Sequence, residues 1–472
     1  MTEPAALAAL LAAQRAAFAR GAPDHDRRIA ALDALRDGVR AHEAELVAAV
    51  SDDFGGRAEE ETLLLELFPL LDEIKHARRQ LKKWMRPRSV RPPWYLLPAR
   101  ARVLHQPLGV VGVIGAWNYQ LLLSLSPLVG AIAAGNHVMV KPSEVTPRTA
   151  DLVARILAER FPREYVAGVT GDADVAAAFS ALPFDHLFFT GSTRVGKLVM
   201  KAAAEHLTPV TLELGGKSPA ILHRDAPIER SVGRLVTGKL YNAGQTCVAP
   251  DYALVHRDRV PAFVEAVRRT AAALYPRLVD TRDYTRIVTR AHWERLRALA
   301  DGARAAGAEV LEVNPAAEAC TAENRVFPPT VVVRAPDALA VMREEIFGPI
   351  LPVVAYDTLD EAIAYVNARP RPLALYYFDD DARRADEVLA RTTSGGAAVN
   401  DVILQLAVDD LPFGGVGASG MGHYHGFDGF QTFSKKKGVF VQSRLASGGM
   451  LRPPYGERSR KIIRALLRAV GG

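Results

Sequence analysis

Val110-Val111-Gly112-Val113-Ile114-Gly115 is an uninterrupted apolar run closed by glycine. A strand with one face in water alternates apolar and polar residues, whereas a strand covered on both faces does not. The run therefore reads as a central strand of a parallel sheet. His137-Val138-Met139-Val140 repeats the signal, reached through a helical segment around Leu128 to Ala134. Tyr165-Val166-Ala167-Gly168-Val169 and His186-Leu187-Phe188-Phe189 continue it, the former after a helix from Pro147 to Arg160. Short apolar strands separated by helical segments predict parallel βαβ units. Ligands of such sheets bind where the strands hand over to the helices.

Beyond Leu214-Gly215-Gly216 the alternation starts again. Strand-like runs occur at Ala220–His223, Tyr252–His256, Thr330–Val333, Ile350–Ala355 and Leu373–Phe378, with helical segments between them. This predicts a second α/β domain. Upstream, residues 5–50 have the apolar spacing of amphipathic helices, and a further helix is expected from about Glu59 to Met85. Arg86 to Ala101 holds Pro87, Pro92, Pro93 and Pro98, which excludes helix interior and predicts an extended arm on the surface or against a partner chain. Ser394-Gly395-Gly396, Phe413-Gly414-Gly415-Val416-Gly417 and Ser419-Gly420-Met421-Gly422 imply tight turns and close backbone approaches. From Arg458 to Val470 the pattern is a short basic amphipathic helix, docked on its own protein or a partner subunit, or lying on a membrane surface.

The chain has 472 residues, more than one hydrophobic core normally organises, so two or three domains are expected. A net charge of +6 is spread among mixed-sign helical faces, which argues against a nucleic-acid footprint. The start, Met1-Thr2-Glu3-Pro4, lacks the basic and apolar segments of a signal peptide, and no apolar run is long enough to span a bilayer. The two cysteines, Cys247 and Cys320, make a disulfide framework unexpected. A reducing compartment, the cytoplasm, is the expectation.

Cys247 stands out chemically. Its stretch, Tyr241-Asn242-Ala243-Gly244-Gln245-Thr246-Cys247-Val248-Ala249-Pro250, is small and polar rather than apolar, a setting that suits a nucleophile better than core filler. Cys320 lies in a polar connecting stretch and reads as incidental. Thr211-Leu212-Glu213-Leu214-Gly215-Gly216 sets one acid among leucines, where a raised pKa suits a general base; an acid paired with a nearby Lys is the plainer alternative. In Trp117-Asn118-Tyr119 the Asn amide can donate to an oxyanion or simply close a turn. Gly191-Ser192-Thr193-Arg194-Val195-Gly196-Lys197 resembles a phosphate loop, but Leu198 stands where a Mg²⁺-holding Ser or Thr is needed. The phosphates of a dinucleotide can still sit at such a helix start. Lys141-Pro142-Ser143-Glu144 puts a cation and a carboxylate past a strand end, where the acid can accept from ribose hydroxyls and repel a 2′-phosphate. Glu345-Ile346-Phe347 adds an acid and an aromatic before Gly348-Pro349. His423 and His425 have no metal-ligand spacing around them, so no metal is expected.

Taken in this order, these segments resemble the NAD(P)-dependent aldehyde dehydrogenase superfamily over about Pro107 to Ser434. His206-Leu207-Thr208-Pro209-Val210-Thr211, Cys247-Val248-Ala249-Pro250-Asp251-Tyr252 and Pro372-Leu373-Ala374-Leu375-Tyr376 are similar to its class 3 branch. Leu411 to Gly422 and Thr432-Phe433-Ser434 are similar to the coniferyl aldehyde-oxidising members. The resemblance implies an α/β fold with a Rossmann-like cofactor domain (1–82 and 103–212), a second α/β catalytic domain (213–395), small β oligomerisation elements (83–102 and 396–440) and a basic tail (441–472).

It also implies roles. Cys247 would attack the aldehyde, Asn118 would donate to the oxyanion, and Glu213 would activate water against the thioester. Trp117, Lys141, Glu144, Gly191, Ser192, Gly196, Glu345 and Phe347 would line the cofactor site, with NAD favoured by Glu144 and NADP allowed. A homodimer is implied, and Glu213 argues against the CoA-acylating relatives. Relatives usually carry Pro after Trp-Asn-Tyr; Gln120 replaces it here, which predicts a looser segment beside Asn118. A cofactor-independent thiol esterase and a non-catalytic relative are the other readings of the same residues.

Overall fold

In the computed structural model, which describes residues 4–445 and 451–471, the strands form three sheets. Residues 1–3 of the first expected domain and 446–450 and 472 of the tail lie outside the described residues. In the six-stranded sheet, Val110–Ile114 is central, flanked in parallel by His186–Thr190 and His137–Lys141. Val210–Glu213 and Val166–Gly168 extend it in parallel, and Gly420–Met421 adds an antiparallel edge. Alternate residues of one strand enter different cores. Val111, Val113, Val138, Val140 and Phe188 pack under the N-terminal helices, while Val110, Ile114, Met139, Leu187 and Phe189 join Leu7, Leu11 and Phe179 on the other face. Both faces are dry, which is why the strands read as continuous apolar runs.

The seven-stranded sheet is built the same way, in the order Glu309–Glu312, Thr330–Val333, Ile350–Tyr356, Tyr252–His256, Pro219–Leu222, Ala374–Phe378, Gly396–Val399. Only its Glu309–Glu312 edge is antiparallel. A third, antiparallel sheet pairs Arg88–Val90 and Ser434–Val441 with the two edges of Arg100–Pro107. The proline-rich arm thus contributes strands of this small sheet.

Two helices differ from expectation. The helix before His137 begins at Gln120, not near Leu128, and carries Pro127 inside it. Proline removes one backbone donor, which masks the helical period, but the surrounding apolar residues are all buried and hold the helix together. The helix expected from Glu59 to Met85 is interrupted by a π-helical turn, Leu63–Leu67, closed by Phe68 N–H onto Leu63 O. The tail forms the helix Glu457–Val470, with Leu467 and Val470 exposed. No helix among the described residues is long and apolar enough to cross a membrane.

Because four neighbouring strands run parallel, their C-terminal ends share one edge. Gly115, Lys141, Thr190 and Glu213 all sit at that edge.

Candidate active site

The segment Trp117-Asn118-Tyr119 follows the first core strand and leads into the helix Gln120–Ala134. The Cys247 stretch follows the helix Ile228–Leu240 of the second sheet. Three contacts join the two. Asn118 Nδ2 donates to Gln245 O (3.2 Å), Asn242 Nδ2 donates to Asn118 O (2.9 Å), and Tyr119 OH shares a 2.7 Å bond with Thr246 Oγ1. Gln245 is itself fixed: its amide donates to Asn242 O and Arg286 O and accepts from Val288 N. Asn242, Ala243 and Gly244 all take positive φ, at 52°, 49° and 75°. At Gly244 a Cβ would overlap Gly348 O, so glycine is required there. The backbone thus bends sharply just before the thiol.

Cys247 is half-buried. Burial pushes its thiol up to about 12; the nearby Glu345 and Glu213 charges push the same way, opposed by N–H donors of Cys247 and Val248. A thiolate needs a base or a positive field beside it; the structure supplies two acids and two backbone N–H dipoles.

Glu213, the last residue of its strand, is buried and neither carboxyl oxygen has a hydrogen-bond partner. Burial raises its pKa well above the ordinary carboxylate range. The alternative of a Lys-paired acid fails at the nearest candidate, because Lys217 bonds Asp251, Val341 O and Glu344 O instead. Glu345 is half-buried. Its Oε1 accepts from Gly216 N (3.0 Å), a Cβ on Gly215 would overlap it, and burial lifts its pKa to about 8. Phe347 has φ 52° and its ring stands edge-on to Trp117 at 5.3 Å, which in turn meets His292 at 5.0 Å.

The remaining candidates lie along the strand ends. Ser192 caps the helix Thr193–Ala204, its Oγ accepting from Val195 N (3.3 Å), and Gly191 N donates to Glu213 O (3.0 Å). Side chains at Gly191 or Gly196 would collide with Phe189 or Leu214. Lys141, fully buried, pairs with Glu144 at 2.8 Å, and Glu144 is 42% exposed. A cleft of about 560 Å³ is lined by Thr193, Gly215, Gly216, Lys217, Glu345 and Arg371; Lys141, Glu144, Asn118, Glu213 and Cys247 are not among its lining residues. A capped helix start with first-turn N–H groups, a solvent-facing acid beside a buried cation and a second acid lining the cleft are groups that suit an elongated, phosphate-bearing cofactor.

Gln120 is fully buried at the helix start, with Nε2 3.5 Å from Thr149 Oγ1 and Oε1 without a hydrogen-bond partner. The N–H groups of the next two residues, Leu121 and Leu122, are taken by Glu66 (2.8 and 3.3 Å).

Sequence reasoning missed Arg57, Glu61 and Glu66, which back this site from the N-terminal helices and are all buried. A signal existed. Glu66, Leu70, Glu73, Ala77 and Leu81 share one helical stripe, which places two acids on the apolar face. His425, read as structural or surface, stacks on Phe413 at 5.4 Å.

Comparison with known proteins matches residues 1–439 to the aldehyde dehydrogenase family. The chain is 51% identical over 458 residues to a probable coniferyl aldehyde dehydrogenase of Pseudomonas aeruginosa, covering 97% of this chain and 95% of that one. It is similar to the substrate-bound state of Staphylococcus aureus AldH, with a TM-score of 0.92, 38% identity, and 97% and 98% of the two chains covered. It is also similar to a Mycobacterium tuberculosis aldehyde dehydrogenase complexed with NAD+, with a TM-score of 0.84, 27% identity, and 94% and 91% coverage.

Proposed function

The chain belongs to the aldehyde dehydrogenase family, whose members oxidise aldehydes, and we propose that it converts coniferyl aldehyde or a similar aromatic aldehyde to the acid with NAD. The Pseudomonas aeruginosa relative supports the substrate, and the Mycobacterium tuberculosis complex supports the cofactor. One observation supports the reading most. A buried carboxyl without partners, Glu213, lies close enough to the Cys247 thiol for its charge to raise that thiol.

The chemistry follows from the residues. Glu213, deprotonated, takes the Cys247 proton directly or through a water and passes it to solvent, and the sulfur adds to the carbonyl carbon to give a thiohemiacetal. Its oxyanion takes hydrogen bonds from the Asn118 amide and the Cys247 N–H; one such donor lowers the barrier by about 3–4 kcal/mol. NAD, when bound, supplies the acceptor for the hydride of the aldehyde carbon. Cys247 is then left as a thioester. Glu213, deprotonated, removes a proton from water, the water oxygen attacks the thioester carbon, and the C–S bond breaks to release the acid and restore the thiol. Asn118 keeps its backbone fixed by Asn242, so its amide can aim at the oxyanion without rearrangement.

For the cofactor, Gly191, Ser192 and Gly196 would hold the pyrophosphate at the helix start, and Lys141 and Glu144 the adenine ribose. Glu345 and Phe347, with Trp117 beside them, would hold the nicotinamide ribose. The first sheet with its helices acts as cofactor domain (1–82 and 103–212) and the second as catalytic domain (213–395). The small sheet and the arm beside it (83–102 and 396–440) carry exposed Val90, Trp94, Tyr95, Leu97 and Phe440, which suits burial against a second copy in a homodimer. The free thiols Cys247 and Cys320 suit the cytoplasm. The mass in solution tests the dimer; a monomer excludes it.

Aldehyde-dependent NADH formation tests the reading itself. Cys247→Ala should lower turnover of coniferyl aldehyde by at least about 10⁴-fold. A variant that keeps its dehydrogenase rate removes Cys247 from the mechanism.

A further inference from the structure

Behind the thiol and the Asn118 amide lies a charged cluster with no contact to the cleft. Arg57 and Glu66 have fully buried side chains 2.6 Å apart, and Glu61 approaches Arg57 at 3.9 Å. The guanidinium lies over the rings of Tyr119 (5.0 Å) and Phe54 (5.5 Å). One end of the cluster grips the Asn118 segment. Glu66 accepts from Leu121 N and Leu122 N, and Arg57 Nη1 reaches Asn118 O at 3.5 Å. The other end grips the thiol loop. Glu61 accepts from Asn242 N (3.1 and 3.2 Å) and from Thr285 Oγ1 (2.7 Å).

The backbone is shaped for this. In an α-helix, residues five apart face different sides. The π-helical turn Leu63–Leu67, with its i→i+5 bond, brings Glu61 and Glu66 to one side of Arg57. Such turns recur at functional sites. The loop that Glu61 holds contains the left-handed run Asn242 to Gly244, and a run like that persists only when its surroundings over-determine it.

We propose that Arg57, Glu61 and Glu66 form a buried clamp that sets the position of the Asn118 amide relative to the Cys247 thiol. They are positioning residues: none lines the cleft. Arg57 is the shared element. Without it, the Asn118 segment and the Asn242–Thr246 loop keep their three direct contacts, but the two carboxyls that anchor them from behind lose their common counter-charge, and the oxyanion donor shifts relative to the nucleophile.

The clamp rests on the reading of Cys247 and Asn118 above, so wild type and Cys247→Ala are measured alongside Arg57→Met and Arg57→Lys. Three quantities are read in the full-length enzyme: kcat with coniferyl aldehyde, NAD affinity, and backbone hydrogen exchange over 115–122 and 241–248. Arg57→Met should lose about 100-fold in kcat, the scale of a displaced catalytic group. Its NAD affinity should be unchanged, with faster exchange confined to the two segments. Arg57→Lys should recover most of the loss by keeping the charge. An Arg57→Met enzyme with wild-type kcat, or one losing NAD affinity in parallel with kcat, overturns the clamp. Unchanged exchange in both segments also overturns it. If Arg57→Met does not fold, Glu61→Gln decides: exchange should quicken at 241–248 only, and no change there refutes the proposal. Should the wild type oxidise no aldehyde, the catalytic reading fails, while the exchange data still judge the clamp.

Discussion

Two buried carboxyls, Glu66 and Glu213, differ in one respect. Glu66 bonds Arg57 and two backbone N–H groups, while Glu213 bonds nothing. Burial raises the pKa of both. Depth and titration therefore do not separate a structural acid from a reactive one; the hydrogen-bond partners do. A buried polar group with every partner in place fixes its neighbours. One without partners costs stability, and such sites persist where the group has another use. Replacing each acid by its amide gives a graded test of that distinction.

Glu213→Gln should have the largest effect. Turnover should fall about 10²- to 10⁴-fold, the contribution of a general base. The first hydride should still be released, and the acyl-enzyme on Cys247 should accumulate, visible as added mass. Full steady-state turnover without accumulation would show that the unpaired acid is idle. The wild type adds a pH signature. The base form exists only above a folded pKa that burial has raised, so turnover should climb with pH at values above the ordinary carboxylate range. The amide variant should lose that climb.

Glu66→Gln should act in the opposite way, on stability before chemistry. Breaking a buried pair by changing one partner costs about 3–5 kcal/mol, and Arg57 is left without its closest counter-charge. Denaturant midpoints measure it. A variant as stable as wild type would erase the contrast between the two acids.

The contrast also explains what the sequence could and could not reveal. The central strands were legible, because burial on both faces leaves an apolar run without alternation. The helix Pro147–Arg160 was legible to the residue, because proline marks its first turn and Arg160 its last. Edge strands such as Glu309–Glu312 and Gly396–Val399 were not, since water on one side leaves them polar or small. Val210–Glu213 was hidden because an acid ends it. At the site, Cys247, Glu213 and Asn118 emerged from residue type and chain order. Glu61 and Glu66 did not, because charged residues on a helix read as solvent-facing, and Arg57 did not, because it lies in the break between two helices. The π-helical turn that directs the two acids inward has no compositional mark, and the backbone bonds to Glu66 come from Leu121 and Leu122, 55 and 56 residues away.

Glu73 tests the intermediate case. It is buried on the same helical stripe, and burial, with the Asp409 charge adding, lifts its pKa to about 8. The folded state therefore holds this proton over a window where the unfolded chain, near 4.5, has lost it. Its contribution to stability is fully present below about 4.5 and is lost as pH rises to about 8. Glu73→Gln carries no such loss. The stability gap between variant and wild type should widen by about 1.4 kcal/mol per pH unit across that window and then level off. A gap independent of pH would show that Glu73 is already ionised in the fold.

Glu144 should show the smallest effect, because it is the exposed counterpart of these acids. Its pair with Lys141 faces water on the carboxylate side, and exposed pairs contribute about 0–1 kcal/mol, so Glu144→Gln should leave the unfolding midpoint unchanged. Specificity should move instead. At the adenine ribose proposed for this position, the carboxylate would accept from a ribose hydroxyl and repel a 2′-phosphate. The amide removes that repulsion and leaves Lys141 free to attract the phosphate, so kcat/KM for NADP relative to NAD should rise about tenfold, equivalent to about 1.4 kcal/mol. A ratio that stays fixed would place the adenine ribose elsewhere along the strand ends. A ratio that shifts without any change in stability would mark Glu144 as a recognition group, distinct from both Glu66 and Glu213: a carboxylate paired with a cation, yet open to a ligand on its other side.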